Sequence, residues 1–303
     1  MFWRGRREEA LDVISKVRGL ELRAREVAEG VLIGIHRSRH RGTSIEFAEH
    51  KSYSPGDEIR LIDWRLFART DRFFIKQFED ETRICAYLIV DASGSMAYPE
   101  GGEITKFEYA QLIASALGFL LLRQGDEVGA GIISKDELGF LPARSGEKHF
   151  LALIELLAKA EPEGRVELGE IIFQLSSRLK RRSLVIILSD FLDPGFKIEK
   201  SLKLIRSRGA ELILFQVLDR GELTFPFSQL VWFEGFEEEG RLLLDAQKIR
   251  REYLKRLKQW QNSLKRTCQE LGVDFQVFPT DTSASQALSE YLLQRSRIRW
   301  RRG

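Results

Sequence analysis

Ala86-Tyr87-Leu88-Ile89-Val90-Asp91-Ala92-Ser93-Gly94-Ser95 is the stretch from which the fold is read. An unbroken apolar run, closed by a carboxylate and then by small hydroxyl residues, reads as a buried strand entering a tight loop. The next long periodic segment, Thr105 to Leu122, reads as a helix. Asp91, Ser93 and Ser95 are thereby gathered at the carboxyl end of a parallel strand, where open α/β sheets keep their ligands. Asp91 offers a hard anionic oxygen, and the two serines offer neutral ones. Mg2+ or Mn2+ takes such oxygens in octahedral array while keeping several waters. An Asx-type turn capping a helix fits the same pattern, because Asp and Ser are common turn formers. A second run, Leu184-Val185-Ile186-Ile187-Leu188, also ends in a hydroxyl and a carboxylate, Ser189 and Asp190. Two core strands that finish in Asp bring both carboxylates to one sheet edge and favour the ion site over the turn.

Outward from these strands the chain alternates strand and helix, the sign of a doubly wound, mostly parallel α/β sheet of Rossmann type. Strands are expected at Val128–Ile133, Glu211–Leu218 and Asp274–Phe278, with a short edge strand at Gly139–Pro142. Helices are expected at Lys148–Ala160, Leu168–Lys180, Ile198–Ser207 and Ala246–Leu271. Leu230–Phe233 and Arg241–Leu244 flank an acidic, Gly-containing turn and read as an inserted hairpin, near residues 230–244. Residues 83–294 form the main domain. Before it, 1–42 read as a helical segment, with Gly19, Gly30 and Gly34 marking interruptions. Residues 43–82 read as an extended segment packed on the main domain through Trp64, Phe73 and Phe74. Arginines crowd His36–Arg41, and in the basic tail, 295–303, Arg295, Arg297, Arg299, Arg301 and Arg302 meet no acid in sequence. Trp300 is a candidate anchor there.

Composition narrows the function classes. The chain has 303 residues, 43% hydrophobic and 31% charged, as an ordinary globular protein does. A formal net charge of +3 is too small to make nucleic acid an obligatory partner. Cys85 and Cys268 give neither a disulfide framework nor metal-ligand spacing. The start, Met1-Phe-Trp-Arg-Gly-Arg-Arg, lacks a signal peptide's apolar core. No apolar stretch reaches the length of a membrane span. A cytoplasmic protein without a transmembrane segment is the expectation.

The combination of motifs has a likeness. Asp91-x-Ser93-x-Ser95 with the later Ser189-Asp190 resembles the metal-ion-dependent adhesion site of von Willebrand factor A domains. Upstream, Tyr53-Ser-Pro55-Gly56-Asp57, Arg60-Leu-Ile-Asp63-Trp64-Arg65, Ala68-Arg69-Thr70 and Lys76-Gln-Phe78-Glu79 resemble the bacterial domain-of-unknown-function family fifty-eight. The likeness runs from about Thr43 to Asp281. It implies a von Willebrand factor A-like fold and a divalent-ion site at Asp91, Ser93, Ser95 and Asp190. It also implies a protein-interaction role beside a MoxR-type AAA+ ATPase. Such domains usually add a threonine to the ion site. The matching stretch here, Gly164-Arg165-Val166-Glu167-Leu168-Gly169, puts Val166 in its place, between Glu163 and Glu167.

The expectation is a non-catalytic module whose bound Mg2+ or Mn2+ leaves a coordination position for a partner's Asp or Glu. The rival is a Mg2+-dependent phosphoryl-transfer enzyme using Asp91 and Asp190. Such sites place a second acid two residues after the nucleophile; here that residue is Ser93, so the general acid is missing. No phosphate-binding G-x-x-x-x-G-K-[ST] loop is present either.

Overall fold

The computed structural model describes residues 2–41, 51–52, 72, 74–75, 83–99, 104–135, 138–192, 198–235 and 240–300. The chain divides into two compact units, Met1–Ile35 with Ile84–Gly303, and His36–Arg83. In chain order the elements begin with α1 (Phe2–Arg41), β1 (Lys51–Ser52) and β2 (Phe74–Ile75). There follow β3 (Cys85–Asp91), α2 (Lys106–Arg123), β4 (Glu127–Ile133), β5 (Leu138–Arg144), α3 (Glu147–Lys159) and α4 (Leu168–Ser176). Next come β6 (Leu184–Ser189), α5 (Ile198–Ser207), β7 (Glu211–Leu218) and a short α6 (Arg220–Thr224). The chain continues through β8 (Leu230–Glu234), β9 (Arg241–Asp245), α7 (Ala246–Leu271), β10 (Asp274–Pro279) and α8 (Ala284–Trp300).

The main sheet has the order β10-β7-β6-β3-β4-β5. Every neighbouring pair in it is parallel except β4 with β5. Both faces are covered, which is why its strands read as continuous apolar runs. Side chains alternate across it. Leu88 and Val90 face a cluster built with α1, α2, α3 and α8, and Tyr87 and Ile89 face a second cluster built with α4, α5 and α7. The expected doubly wound α/β fold is present, and the hairpin is the antiparallel pair β8–β9.

Two readings change. Helix α1 is continuous through Gly19, Gly30 and Gly34. Gly30 and Gly34 are notches: an added Cβ would lie 3.0 Å from Ser285 Cβ and 2.8 Å from Ser289 Oγ of α8. Ala24, Ala28 and Val31 share the buried stripe of α1. The basic run at the C-terminus begins inside α8, and Arg295 does meet acids: Glu211 at 2.5 Å and Asp274 at 2.8 Å. Those carboxylates start β7 and β10, so they adjoin Arg295 only once the sheet has formed. In the second unit, β1 pairs antiparallel with β2. Trp64 and Phe73, with the packing proposed for them, lie outside the described residues, and for Phe74 and Trp300 the backbone alone is described.

Candidate functional site

Successive strands run outward from β3 in one direction through β4 and β5, then resume on its other side with β6. The topological switch point therefore lies between β3 and β6, and a crevice opens beyond their carboxyl ends. Asp91 closes β3, and Asp190 follows β6; Val90 and Leu188 are register partners. The sequence pattern and the topology converge on this edge.

Each carboxylate is held by its own turn and by its neighbour. Asp91 Oδ1 accepts a hydrogen bond from Ser93 N (2.9 Å), and Oδ2 accepts one from Ser189 Oγ (2.6 Å). Ser189 Oγ in turn accepts from Phe191 N at 2.9 Å. Ser93 Oγ and Ser95 Oγ are 3.2 Å apart, at the start of a 3₁₀ turn over Gly94–Ala97. Ser95 also shares a side-chain hydrogen bond with Asp190. Asp190 Oδ1 accepts from Leu192 N (3.1 Å), while its main-chain carbonyl accepts from Gln216 Nε2 (2.8 Å). The turn after it places Phe191 in the left-handed region, at φ 53°. Trp260 Nε1 caps that turn by donating to Phe191 O at 2.7 Å. All four expected site residues are thus brought together.

Two charged residues that the sequence reading passed over complete the cluster. Lys106 Nζ donates to Asp190 Oδ2 (2.7 Å) and to Glu222 Oε1 (2.6 Å). Glu222 Oε2 accepts from Asp219 N (2.8 Å) in a capping box that starts α6. Asp219 itself accepts from Gly221 N and from Thr280 Oγ1. Both residues left a signal. Lys106 is the first helical residue after the Thr105 cap, where the helix dipole disfavours a cation. Asp219 follows a third apolar strand, β7, as the cap of α6, and so leads to Glu222 on the same sheet edge.

The electrostatics follow from burial. Desolvation, with the charge of Asp190 beside it, pushes the Asp91 carboxyl up to about 6, against the bonds from Ser189 and Ser93. Burial works the same way on Asp190, but the Lys106 ammonium outweighs it and holds that carboxyl below its usual range. Burial also raises Glu222, with Lys106 opposing. For Lys106, burial favours the neutral amine, and Asp190 and Glu222 overcome it to keep the ammonium charged.

The loop expected to supply a threonine does reach the site through its backbone. Glu163 N donates to Ala92 O (3.0 Å), and Gly94 N donates to Gly164 O (2.7 Å). Val166, however, is 6% exposed and belongs to the apolar cluster of Ile89, Ile133 and Phe191. It packs as a core residue. No group of three or more His, Cys, Asp and Glu side chains able to hold an ion occurs among the described residues. The candidate donor set is therefore half hydroxyl: Asp91 and Asp190 with Ser93 and Ser95. Hard oxygens with room for water are what Mg2+ or Mn2+ accepts, and two mutually repelling buried carboxylates favour a cation, so the residues present fit the ion.

Comparison with known proteins gives relatives that are themselves uncharacterized. A Mycobacterium tuberculosis (strain ATCC 25618 / H37Rv) protein is 31% identical over 213 residues, 69% of this chain and 66% of its own length. YeaD of Bacillus subtilis (strain 168) is 28% identical over 121 residues, 40% of this chain and 28% of that protein. Among solved structures, BatB from Bacteroides thetaiotaomicron covers 71% of this chain and 99% of its own, at 14% identity and TM-score 0.45. The SpRpn10 von Willebrand factor A domain covers 70% of this chain and 95% of its own, at 12% identity and TM-score 0.42. These are likenesses of fold alone. The expectation of a cytoplasmic location is corrected: the structural neighbours include an aerotolerance-related membrane protein from Bacteroides fragilis and a membrane spanning protein from Vibrio fischeri. No helix among the described residues is long and apolar enough to cross a membrane. The family described as protein of unknown function DUF58 matches residues 49–263, and the chain, with its von Willebrand factor A-like fold, belongs to that family.

Proposed function

We propose that this protein is a non-catalytic interaction module that docks a partner protein at the carboxyl edge of its sheet, through a divalent ion held by Asp91, Ser93, Ser95 and Asp190. The observation that carries the reading is the convergence of both aspartates and both serines at the switch point between β3 and β6. Bound there, Mg2+ or Mn2+ supplies a coordination position to a partner's Asp or Glu. The chain's own residues hold the rim ready. Ser189 and Ser93 N orient Asp91, Leu192 N orients Asp190, and the Glu163–Gly164 backbone fixes the loop that carries Ser93. Ser93 stands where phosphoryl transfer would need a second acid, so no turnover of phosphate esters is assigned to the site.

The partner proposed first is a MoxR-type AAA+ ATPase, on the strength of the family resemblance of the upstream motifs. The test is capture of that ATPase on the immobilised full chain. Retention in Mg2+, release by chelator and failure of the Asp91→Ala protein to retain it are the expected results. Equal retention in chelator would refute metal-dependent docking.

A further inference from the structure

Lys106 is the one cationic group described in the cluster, and with its partner Glu222 it has no part in the ion site. Its side chain is 1% exposed, and the two carboxylates that take its ammonium are 5% (Asp190) and 13% (Glu222) exposed. The ammonium and the two carboxylates come from three parts of the fold: the start of α2, the residue after β6 and the first turn of α6. A buried ammonium persists only when its partners offset its desolvation, and these two sit at 2.7 and 2.6 Å. Asp190 is also one of the four residues assigned to the divalent ion. One carboxylate thus serves two cations, a tethered one that cannot leave and a dissociable one that can.

We propose that Lys106 is a built-in counter-cation that shares Asp190 with the divalent ion and sets how tightly that ion is held. Glu222 sets how much of the ammonium's charge bears on Asp190. The inference rests on the divalent-ion reading of the site. Its physics is Coulombic: two cations gathered on one carboxylate repel, and even at the effective dielectric of a protein surface the penalty is about tenfold or more in affinity. Two consequences follow. In the ion-free protein Lys106 keeps Asp190 and Glu222 paired, so the rim is stable without metal. In the ion-bound protein the added positive charge makes the site more receptive to a partner's carboxylate than four oxygen ligands alone would be.

The experiment is an Mn2+ titration of the full chain, read by the loss of the free-ion electron paramagnetic resonance signal, with wild type, Lys106→Met and Glu222→Gln compared. Lys106→Met should bind Mn2+ about tenfold or more tighter than wild type. Glu222→Gln, which leaves the ammonium to Asp190 alone, should bind it more weakly by a similar factor. A purely structural lysine predicts something else: Lys106→Met loses stability, and its Mn2+ affinity is equal to or weaker than that of wild type, which would overturn the proposal. If Lys106→Met does not fold, Glu222→Gln decides, and an unchanged affinity there overturns it. Absence of binding in wild type and both variants would instead remove the ion reading itself. Binding by Lys106→Met alone would support the suppressing role of the lysine.

Discussion

In chelator, Asp91→Asn should make the protein more stable near neutral pH. Burial and the Asp190 charge raise the Asp91 carboxyl from 3.8 to about 6. A rise of that size corresponds to about 3 kcal/mol. Because the folded form holds its proton more tightly than the unfolded form, stability falls as pH rises from about 4 to about 6 and stays low above that. Asn carries no charge but offers one acceptor where the carboxylate accepted two bonds, from Ser93 N and Ser189 Oγ. Losing one of them costs about 1 kcal/mol. The net gain is about 2 kcal/mol, or roughly 4–8 °C in Tm for a domain of this size. Scanning calorimetry in chelator at about pH 7.5 reads it. At about pH 4 wild-type Asp91 is protonated, so the order should reverse and leave only the lost hydrogen bond. Asp190, held low by Lys106, stabilises the fold above the usual carboxylate range and loses that contribution only as pH falls below it. A variant that melts at or below wild type at the higher pH, or a gap that is the same at both, would refute the electrostatic account of the site.

Two further substitutions test the packing beside the site. A Cβ on Gly129 of β4 would sit 2.6 Å from Tyr87 Cδ1 and 2.8 Å from the main-chain oxygen of Leu141. Gly129→Ala should therefore lower the urea midpoint by an amount equivalent to about 1–3 kcal/mol, with an unchanged m-value. Val166→Thr puts a hydroxyl into an apolar cluster and should cost about 1–3 kcal/mol, with no gain in Mg2+ binding. Tighter Mg2+ binding by that variant would show that residue 166 lines the ion site after all.

The strands and most helices were legible because burial on both faces writes continuous apolar runs into β3, β6 and β7, and one-sided burial writes a helical period into α3 and α5. Asp91 and Asp190 were legible for a related reason. A charge at the end of an apolar run has few places to go except a sheet rim. What the sequence hid depends on pairing across distance. Lys106 meets Asp190 across 84 positions and Glu222 across 116, and no local pattern carries that. The glycines of α1 read as breaks because local propensity counts their backbone freedom. It cannot see the serines of α8 that need the space. Val166 matched its threonine counterpart in order along the loop, yet its isopropyl group packs with Ile89 and Phe191, a preference that an alignment of motifs does not register.

The central claim is that Asp91 and Asp190, with Ser93 and Ser95, hold a divalent ion at the carboxyl edge of the sheet. Isothermal calorimetry of the full chain with Mn2+ tests it most directly. Wild type should show one saturable site, absent from Asp91→Ala, with both proteins folded by circular dichroism. Equal Mn2+ binding by wild type and Asp91→Ala would contradict the account.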